Sequence, residues 1–448
     1  MDRRRRRGVG STFAVSSSGV LQGLRIVPFR DEIGAVPRPL PLTRGGALDA
    51  LRFLAAFCMV VHHYAVDAPI ALAERFPAVE RGYLATDFFI VVSGYVLGRI
   101  YGERVVGGQV SAFDFFLRRA GRVVPAHLMV AAAFVALVLL AGAAGARPTN
   151  PEWFDWRELP GQVALIQAWG PFGGKGWNAP VWSLSALLGC YLAFPWLWRA
   201  LRRIPSPVLA LLIGLGGLAA ADALTQAVFA YPVYQMPMSL GGVRALPLFV
   251  LGVCLAVCSE TLYIPPKLAA GVGAAALALF ASLLAIGRHD YLSLCLIALV
   301  VLAAGAMPAE RPSKVLEKGA LASFALFITN ELVRVAYFGF AEVAAGRLGL
   351  GEPARWALWW AALPTAVLCA VAFHYLIDWP SQAWVKARLP KLRAAAGKAF
   401  ARPLPAPDPN FDLARAGRRA RVHEVALSAG PILGGGRRGI GPHALYWG

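Results

Sequence analysis

Ten long apolar segments constrain this chain more than any other feature of its sequence. Each is close to the ~20 residues that a helix needs to cross the hydrocarbon core of a bilayer. The segments cover residues 47–67, 83–102, 123–144, 178–199, 206–228, 240–259, 267–287, 291–308, 318–340 and 356–379. Hydrophobic residues make up 58% of the chain and charged residues 15%, whereas a soluble domain has about 45–50% and about 25%. The sequence therefore predicts an all-α polytopic membrane protein, a bundle of about ten transmembrane helices, and excludes a soluble enzyme, a disordered chain and a collagen-like chain.

The positive charge is concentrated at the two ends of the chain. The formal net charge is +19, and most of the excess lies in residues 1–46 and 386–448. Basic ends on an apolar body follow the rule that positive segments stay in the cytoplasm, so we expect both termini to be cytoplasmic and expect no nucleic-acid partner. The predicted organisation is a basic, disordered tail at 1–46, a transmembrane domain at 47–385, and a basic tail rich in Pro and Gly at 386–448.

Other features restrict the cofactors and the location. The six cysteines form no CxxC pair, so we expect neither a disulfide framework nor a zinc site. We also expect no metal at the site and no permanently bound cofactor. Residues 1–41 lack the apolar core of a secretory signal, so the first helix is expected to direct insertion. The high Ala, Gly and Arg content is compatible with a GC-rich bacterial source, which suggests the inner membrane. Residues 159–169 are apolar but too short to span, and are expected to be re-entrant or interfacial.

The first apolar segment carries an arginine and a histidine on one face. Arg52 and His63 are eleven residues apart, which is about three helical turns, so both side chains project from the same side. They lie roughly 16 Å apart along the axis, and Asp49, one turn before Arg52, is a candidate partner. One interpretation is a polar track facing the protein interior. The other is that Arg52 reaches the lipid headgroups while the histidine lies near the outer interface.

Five motifs occur in order along the chain. They are LDALRFLAAFCMVVHHY, TDFFIVVSGYVLGRIY, FLRRAGRVVPAHL, WNAPVWSLSALLGCYLAFP and FHYLIDWPSQ. Over roughly residues 47–385, this set resembles the acyltransferase 3 family of integral membrane acyltransferases. The resemblance implies transfer of an acyl group, expected to be acetyl, from cytoplasmic acyl-CoA as co-substrate. The implied acceptor is a hydroxyl of an envelope glycan or another extracytoplasmic compound, and the oligomeric state is left open.

The resemblance and the residue chemistry together suggest candidate roles. Arg52 is expected to hold the anionic donor, and His63 to act as a general base, because imidazole titrates near neutrality. Asp87 is expected either to orient His63 or to cap its own helix. The residues expected to bind substrate are Ser93, Gly94, Arg119, Arg122, Trp182, Ser183 and Asn330. Simpler alternatives stay open: helix packing for the Ser-Gly pair, and membrane topology for the two later arginines.

Two positions depart from the family pattern. The family motif around WSL continues to an acid where this chain has Leu187, and many relatives carry a histidine near Asn330. Glu331 and Asn330 are candidates to substitute in part. The departures leave open a catalytically degenerate member of the family. A transporter or flippase of an amphipathic solute is a further alternative, although the sequence shows neither an internal repeat nor a pair of broken helices.

Overall fold

The computed structural model describes residues 25–26, 42–146, 148, 150–170 and 176–399. Most of the predicted N-terminal tail and everything after residue 399 lie outside these ranges. The predicted disorder of the N-terminal tail therefore stays a prediction.

Within the described ranges, the chain folds almost entirely into helices. The helices are α1 (Ala47–Tyr64), α2 (Leu72–Arg75), α3 (Pro77–Glu80), α4 (Leu84–Val106), α5 (Ala112–Ala143), α6 (Leu159–Val163), α7 (Trp182–Leu201), α8 (Pro207–Phe229), α9 (Gly241–Thr261), α10 (Pro266–Ile286), α11 (Asp290–Gly305), α12 (Lys314–Leu348), α13 (Glu352–Phe373) and α14 (Trp379–Ala399). A π-helical turn, His374–Asp378, joins α13 to α14. Two short strands, β1 (Arg25–Ile26) and β2 (Leu262–Tyr263), pair in antiparallel fashion.

The helices bear out a polytopic membrane protein. Each of the ten predicted segments coincides with a helix, and nine helical stretches in the described part of the chain are long and apolar enough to span a membrane. The tenth, α11, has 16 residues and reaches only about 24 Å at 1.5 Å per residue, short of the ~30 Å hydrocarbon core. The count of ten spans and the cytoplasmic position of both termini stay predictions. At the C-terminal end, α14 continues through the predicted domain boundary at residue 385.

Serine caps define where three of the long helices begin. Ser111, Ser206 and Ser313 precede α5, α8 and α12, and each hydroxyl accepts a hydrogen bond from the backbone N–H three residues later. Such a bond satisfies one of the N–H groups that the first helical turn leaves unpaired. These caps fix the ends of the helices that flank the buried centre of the bundle.

The buried centre is formed by α4, α7 and α9. Helix α9 packs against α4, α7 and α8, while α1 packs against α12, and α12 against α13. Glycines bring α4 and α9 into backbone contact: a Cβ at Gly94 would collide with the carbonyl oxygen of Phe249, and one at Gly252 with that of Val91. Helices α8 and α10 lie at the periphery with mostly exposed apolar side chains, as expected for surfaces that face lipid.

In its described part, the connection between α5 and α7 contains no helix long enough to span a membrane. Residues 159–169 contain the five-residue helix α6 followed by turns, in agreement with the prediction that this stretch does not cross the membrane. Leu165 and Trp177 adopt left-handed backbone conformations in this connection, with φ of 54° and 55°. The connection leads into α7, whose first residues reach the site described next.

Candidate active site

A cavity opens among α1, α4, α5, α7 and α12 and encloses about 830 Å³ of empty space, counting its open mouth. Five of the residues predicted to form a site line this cavity, and they come from four different helices: Arg52, Ser93, Arg119, Arg122 and Ser183. Most of the remaining wall is apolar. The structure thus brings Arg52 of the first motif and Arg119 and Arg122 of the third motif to one cavity, and their roles in binding stay predictions.

The three guanidinium groups have different partners. Arg52 lies 3.8 Å from the Asp49 carboxylate, the partner predicted from the one-turn spacing. Arg122 donates to the Asp378 carboxylate at 2.7 Å. Arg119 donates to the Tyr101 hydroxyl at 2.6 Å and lies over the Tyr101 ring. Arg52 and Arg122 each lie beside a carboxylate, and three guanidinium groups at one cavity wall suit an anionic ligand.

Asp378 anchors one side of this cavity. Its carboxylate accepts hydrogen bonds from Arg122 and Gln382 and lies 3.0 Å from Nδ1 of His374. His374 and Asp378 are the first and last residues of the π-helical turn, and Asp378 is fully buried. The sequence indicated that buried charges in a membrane must pair. It could not indicate that Asp378 pairs with a residue 256 positions earlier.

His63 has a hydrogen-bond partner on α12. Its Nδ1 lies 2.7 Å from Oδ1 of Asn330, and the Asn330 side-chain N–H donates to the carbonyl of Phe327 at 2.6 Å. The second bond fixes the amide orientation, so Oδ1 must accept from the Nδ1–H of His63. In the neutral imidazole, Nε2 then carries the free lone pair and is the nitrogen able to accept a proton. Asn330, expected to bind substrate, therefore binds the predicted base.

Glu331 does not take the place of a partner for His63. Both of its carboxylate oxygens accept hydrogen bonds from Arg334, at 3.0 and 2.8 Å. Arg334 also donates to Asp67 at 2.8 Å. Two carboxylates and one guanidinium leave this group with one formal negative charge in excess, and Glu331 directly follows the residue that holds His63.

The structure contradicts the prediction that Asp87 orients His63. Both oxygens of Asp87 accept hydrogen bonds from Arg244 of α9, each at 2.8 Å, and Asp87 is fully buried. The physical reason is charge compensation: a buried carboxylate is stabilised much more by a cationic guanidinium than by a neutral imidazole. The Arg244 guanidinium is covered by the rings of Trp182 and Tyr83, each 5.3 Å from its centre. Trp182, expected to bind substrate, is thus part of this ion-pair cluster and does not line the cavity.

Gly94 also lies away from the cavity. Its position at the α4–α9 contact leaves no room for a Cβ, which is the helix-packing alternative. The neighbouring Ser93 does line the cavity. Successive helical residues differ by about 100° in direction, so the two halves of the Ser-Gly motif face different surroundings.

The cavity and the histidine lie close to each other along α12. Phe89 and Phe327 line the cavity, with ring centroids 6.4 Å apart. Asn330 lies about one helical turn after Phe327, and its side-chain N–H donates to the Phe327 carbonyl. The arginine cavity therefore ends about one helical turn from the residue that holds His63. In the part of the chain that the structure describes, no group of three His, Cys, Asp or Glu side chains is suited to a metal ion.

The chain is similar to known proteins over part of its length. The chain is 31% identical over 176 residues to the acyltransferase MdmB of Streptomyces mycarofaciens, a match covering 37% of this chain and 42% of that protein. It is 33% identical over 97 residues to protein 2 in the picA locus of Rhizobium radiobacter, covering 21% of this chain and 47% of that protein. The chain thus matches less than half the length of either relative. No solved structure is similar to it.

A family model described as an acyltransferase domain matches residues 46–375. This range includes every residue that lines the arginine cavity, and it includes the His63–Asn330 pair. Since the match covers most of the chain, the protein belongs to the acyltransferase 3 family.

Proposed function

We propose that this protein is a membrane O-acyltransferase. It moves an acyl group, acetyl in the simplest case, from cytoplasmic acyl-CoA to a hydroxyl of an envelope glycan or another extracytoplasmic acceptor, in a bacterial cytoplasmic membrane. The observation that carries the proposal is the combination of a cavity lined by three guanidinium groups with a histidine whose Nε2 is held free to accept a proton. Family membership supports the reaction class.

The cavity suits an anionic donor with an apolar arm. Arg52, Arg119 and Arg122 offer planar donor groups that match phosphate oxygens. The apolar wall that includes Leu184, Leu187 and Phe324 suits the remainder of the acyl-CoA. Leu187 occupies the position of the acid in the family motif, so this wall lacks a negative charge that would oppose the donor phosphates.

The histidine supplies the proton transfer. The Nε2 atom of His63 takes the proton of the acceptor hydroxyl as that oxygen attacks the thioester carbonyl. The carbon–sulfur bond then breaks, the acyl group stays on the acceptor oxygen, and the CoA sulfur leaves with the proton returned by the imidazolium. Asn330 keeps the ring in the required tautomer throughout, because its oxygen accepts only from Nδ1–H.

Purified protein in nanodiscs provides the test. The measurements are binding of acetyl-CoA and slow release of free CoA, for wild type, Arg52→Ala and His63→Ala. We expect wild type to bind and release CoA. Arg52→Ala should bind poorly, because a charged contact to the donor is lost, and His63→Ala should bind normally with at least ~100-fold slower release, the scale of general-base catalysis.

His62→Ala is the matched control. His62 precedes His63, but its Nδ1 lies 2.8 Å from the carbonyl of Val79, so its loss should leave CoA release near the wild-type rate. If His62→Ala and His63→Ala slow release equally, the assigned base is wrong. If wild type neither binds nor hydrolyses any short acyl-CoA, catalysis with these donors is rejected and transport assays take precedence.

A further inference from the structure

The connection between α5 and α7 is unusually long and carries buried polar groups. Helix–helix connections usually have 2–8 residues, and much longer ones are commonly functional. Here Ala143 and Trp182 bound the connection. Its described part includes Gln167 and Asn178, which are only 2% and 3% exposed. Irregular backbone that is buried in a membrane protein usually lines a cavity or packs inside the protein.

Three side chains on or against this connection have unpaired polar atoms. They are Nδ1 of His127, both amide atoms of Gln167, and Oδ1 of Asn178. His127 belongs to α5 and is 1% exposed. Buried polar groups nearly always find partners, and one left unpaired destabilises the fold. Three such side chains on or against the same connection leave hydrogen-bonding atoms that an occupant could satisfy.

The existing hydrogen bonds define what that occupant must offer. His127 lies with Nε2 2.9 Å from the carbonyl of Gln162, so Nε2–H donates and Nδ1 is an acceptor. Asn178 donates its side-chain N–H to the carbonyl of Ile328 at 2.9 Å, so its oxygen is an acceptor. Gln167 offers one donor group and one acceptor. Hydroxyl groups both donate and accept, whereas a phosphate dianion cannot donate to His127 or Asn178.

The connection also lies beside the predicted base. Asn178 is bonded to Ile328, two residues before Asn330 on α12. Trp177 belongs to the same buried cluster as Met59 of α1, and Met59 lies one turn before His63 on the same face. Immediately after the connection, Ser183 of α7 lines the arginine cavity.

We propose that His127, Gln167 and Asn178 form the binding site for the acceptor, a polyhydroxylated compound such as a sugar. This inference rests on the proposed acyltransferase function and assigns its acceptor to the α5–α7 connection. The hydroxyls of the compound donate to His127 and Asn178 and exchange hydrogen bonds with the Gln167 amide. One further hydroxyl is then presented to Nε2 of His63. The acceptor thus approaches from the α5–α7 side while the donor occupies the arginine cavity.

The test compares acceptor transfer, donor hydrolysis and stability in one set of variants. Gln167→Met replaces an unpaired amide with an apolar side chain of similar size, and Asn178→Leu removes the acceptor oxygen. Membranes from the source organism, lacking its own copy and supplied with each variant, receive [14C]acetyl-CoA. The two readouts are the label that becomes fixed in cell-envelope material, which reports transfer, and the CoA that is released by hydrolysis of the donor. Thermal midpoints are measured on the purified proteins.

We expect Gln167→Met to fix at least tenfold less label, to release CoA within twofold of wild type, and to unfold at an equal or higher temperature. Asn178→Leu should show the same loss of fixed label, although its lost bond to Ile328 lowers the midpoint. The control is Thr225→Val on α8, a buried side chain whose hydroxyl is satisfied by the carbonyl of Asp222. It should fix label at the wild-type rate.

Two results overturn the acceptor site. One is a Gln167→Met variant that fixes label like wild type, which would mean that ordered water satisfies the amide. The other is a Gln167→Met variant that loses stability and label together, which would mean a structural role. In both cases wild type still fixes label, so the proposed function stands. If wild type neither fixes label nor releases CoA, both the function and the acceptor site are rejected.

Discussion

The buried ion pair between Asp87 and Arg244 should hold the N-terminal ends of α4 and α9 together. Two charge-assisted hydrogen bonds of 2.8 Å join the two side chains, which are 0% and 6% exposed. Removing one member of a buried pair leaves the other charge uncompensated, at a cost of about 3–5 kcal/mol. A loss of ~3 kcal/mol changes the unfolding equilibrium more than a hundredfold. The pair is therefore expected to act through stability.

A double-mutant cycle measures this coupling. Asp87→Leu and Arg244→Met each should lower the free energy of unfolding by about 3–5 kcal/mol. The double variant should lie within about 2 kcal/mol of wild type, because replacing both buried charges with apolar groups is often neutral. Unfolding by SDS titration in mixed micelles provides the free energies. CoA release, normalised to the folded fraction, provides the specific activity.

The cycle separates a structural role from a catalytic one. A purely structural pair predicts that the folded double variant releases CoA at a rate close to wild type. If Asp87 instead served His63, the double variant would be folded and inactive. Additive single effects would equally refute the reasoning, since independent residues show no coupling energy.

Further substitutions test the packing, the histidine and the cavity. Gly94→Ala should lower the free energy of unfolding by about 1–3 kcal/mol, the usual effect of overpacking, because the added Cβ meets a backbone carbonyl of α9. Gly142→Ala is the control: its added Cβ has nothing within 4 Å, so the thermal midpoint should stay unchanged or rise. Asn330→Leu should lower kcat at least tenfold with the acetyl-CoA KM unchanged, and Asn330→Asp should restore much of it by supplying an acceptor for the imidazole N–H. Arg122→Lys keeps the charge but loses the planar donor pair, so the Kd for acetyl-CoA should rise about tenfold, the scale of one charge-assisted hydrogen bond.

The helices could be predicted because spanning a membrane is a local property of the sequence. A segment of ~20 apolar residues must satisfy its backbone hydrogen bonds internally, so hydropathy alone located ten of the helices in the described residues. Hydropathy did not predict where α11 ends, because the apolar segment continues past Gly305, the last residue of the helix. Helix geometry likewise predicted that Arg52 and Asp49 would be neighbours. These inferences need no knowledge of which helices touch.

Pairing between distant residues could not be predicted in this way. His63 and Asn330 are 267 positions apart, and Asp87 and Arg244 are 157 apart. The sequence offered Asp87 as a partner for His63 because both were expected near the outer face of the membrane. The deciding factor was the direction each side chain faces around its helix. Burial then favoured the guanidinium as the partner for a carboxylate.

The two departures from the family pattern fall in different parts of the site. Leu187 lines the arginine cavity, where Asp49 and Asp378 already compensate two of the three positive charges. Asn330 holds His63, and in the proposed mechanism its oxygen takes the orienting role that a carboxylate has beside other catalytic histidines. The missing acid therefore alters the charge around the donor and removes no contact of the histidine. In the proposed mechanism, a neutral amide partner stabilises the imidazolium of His63 less than a carboxylate would, so the imidazolium gives its proton to the departing sulfur more readily.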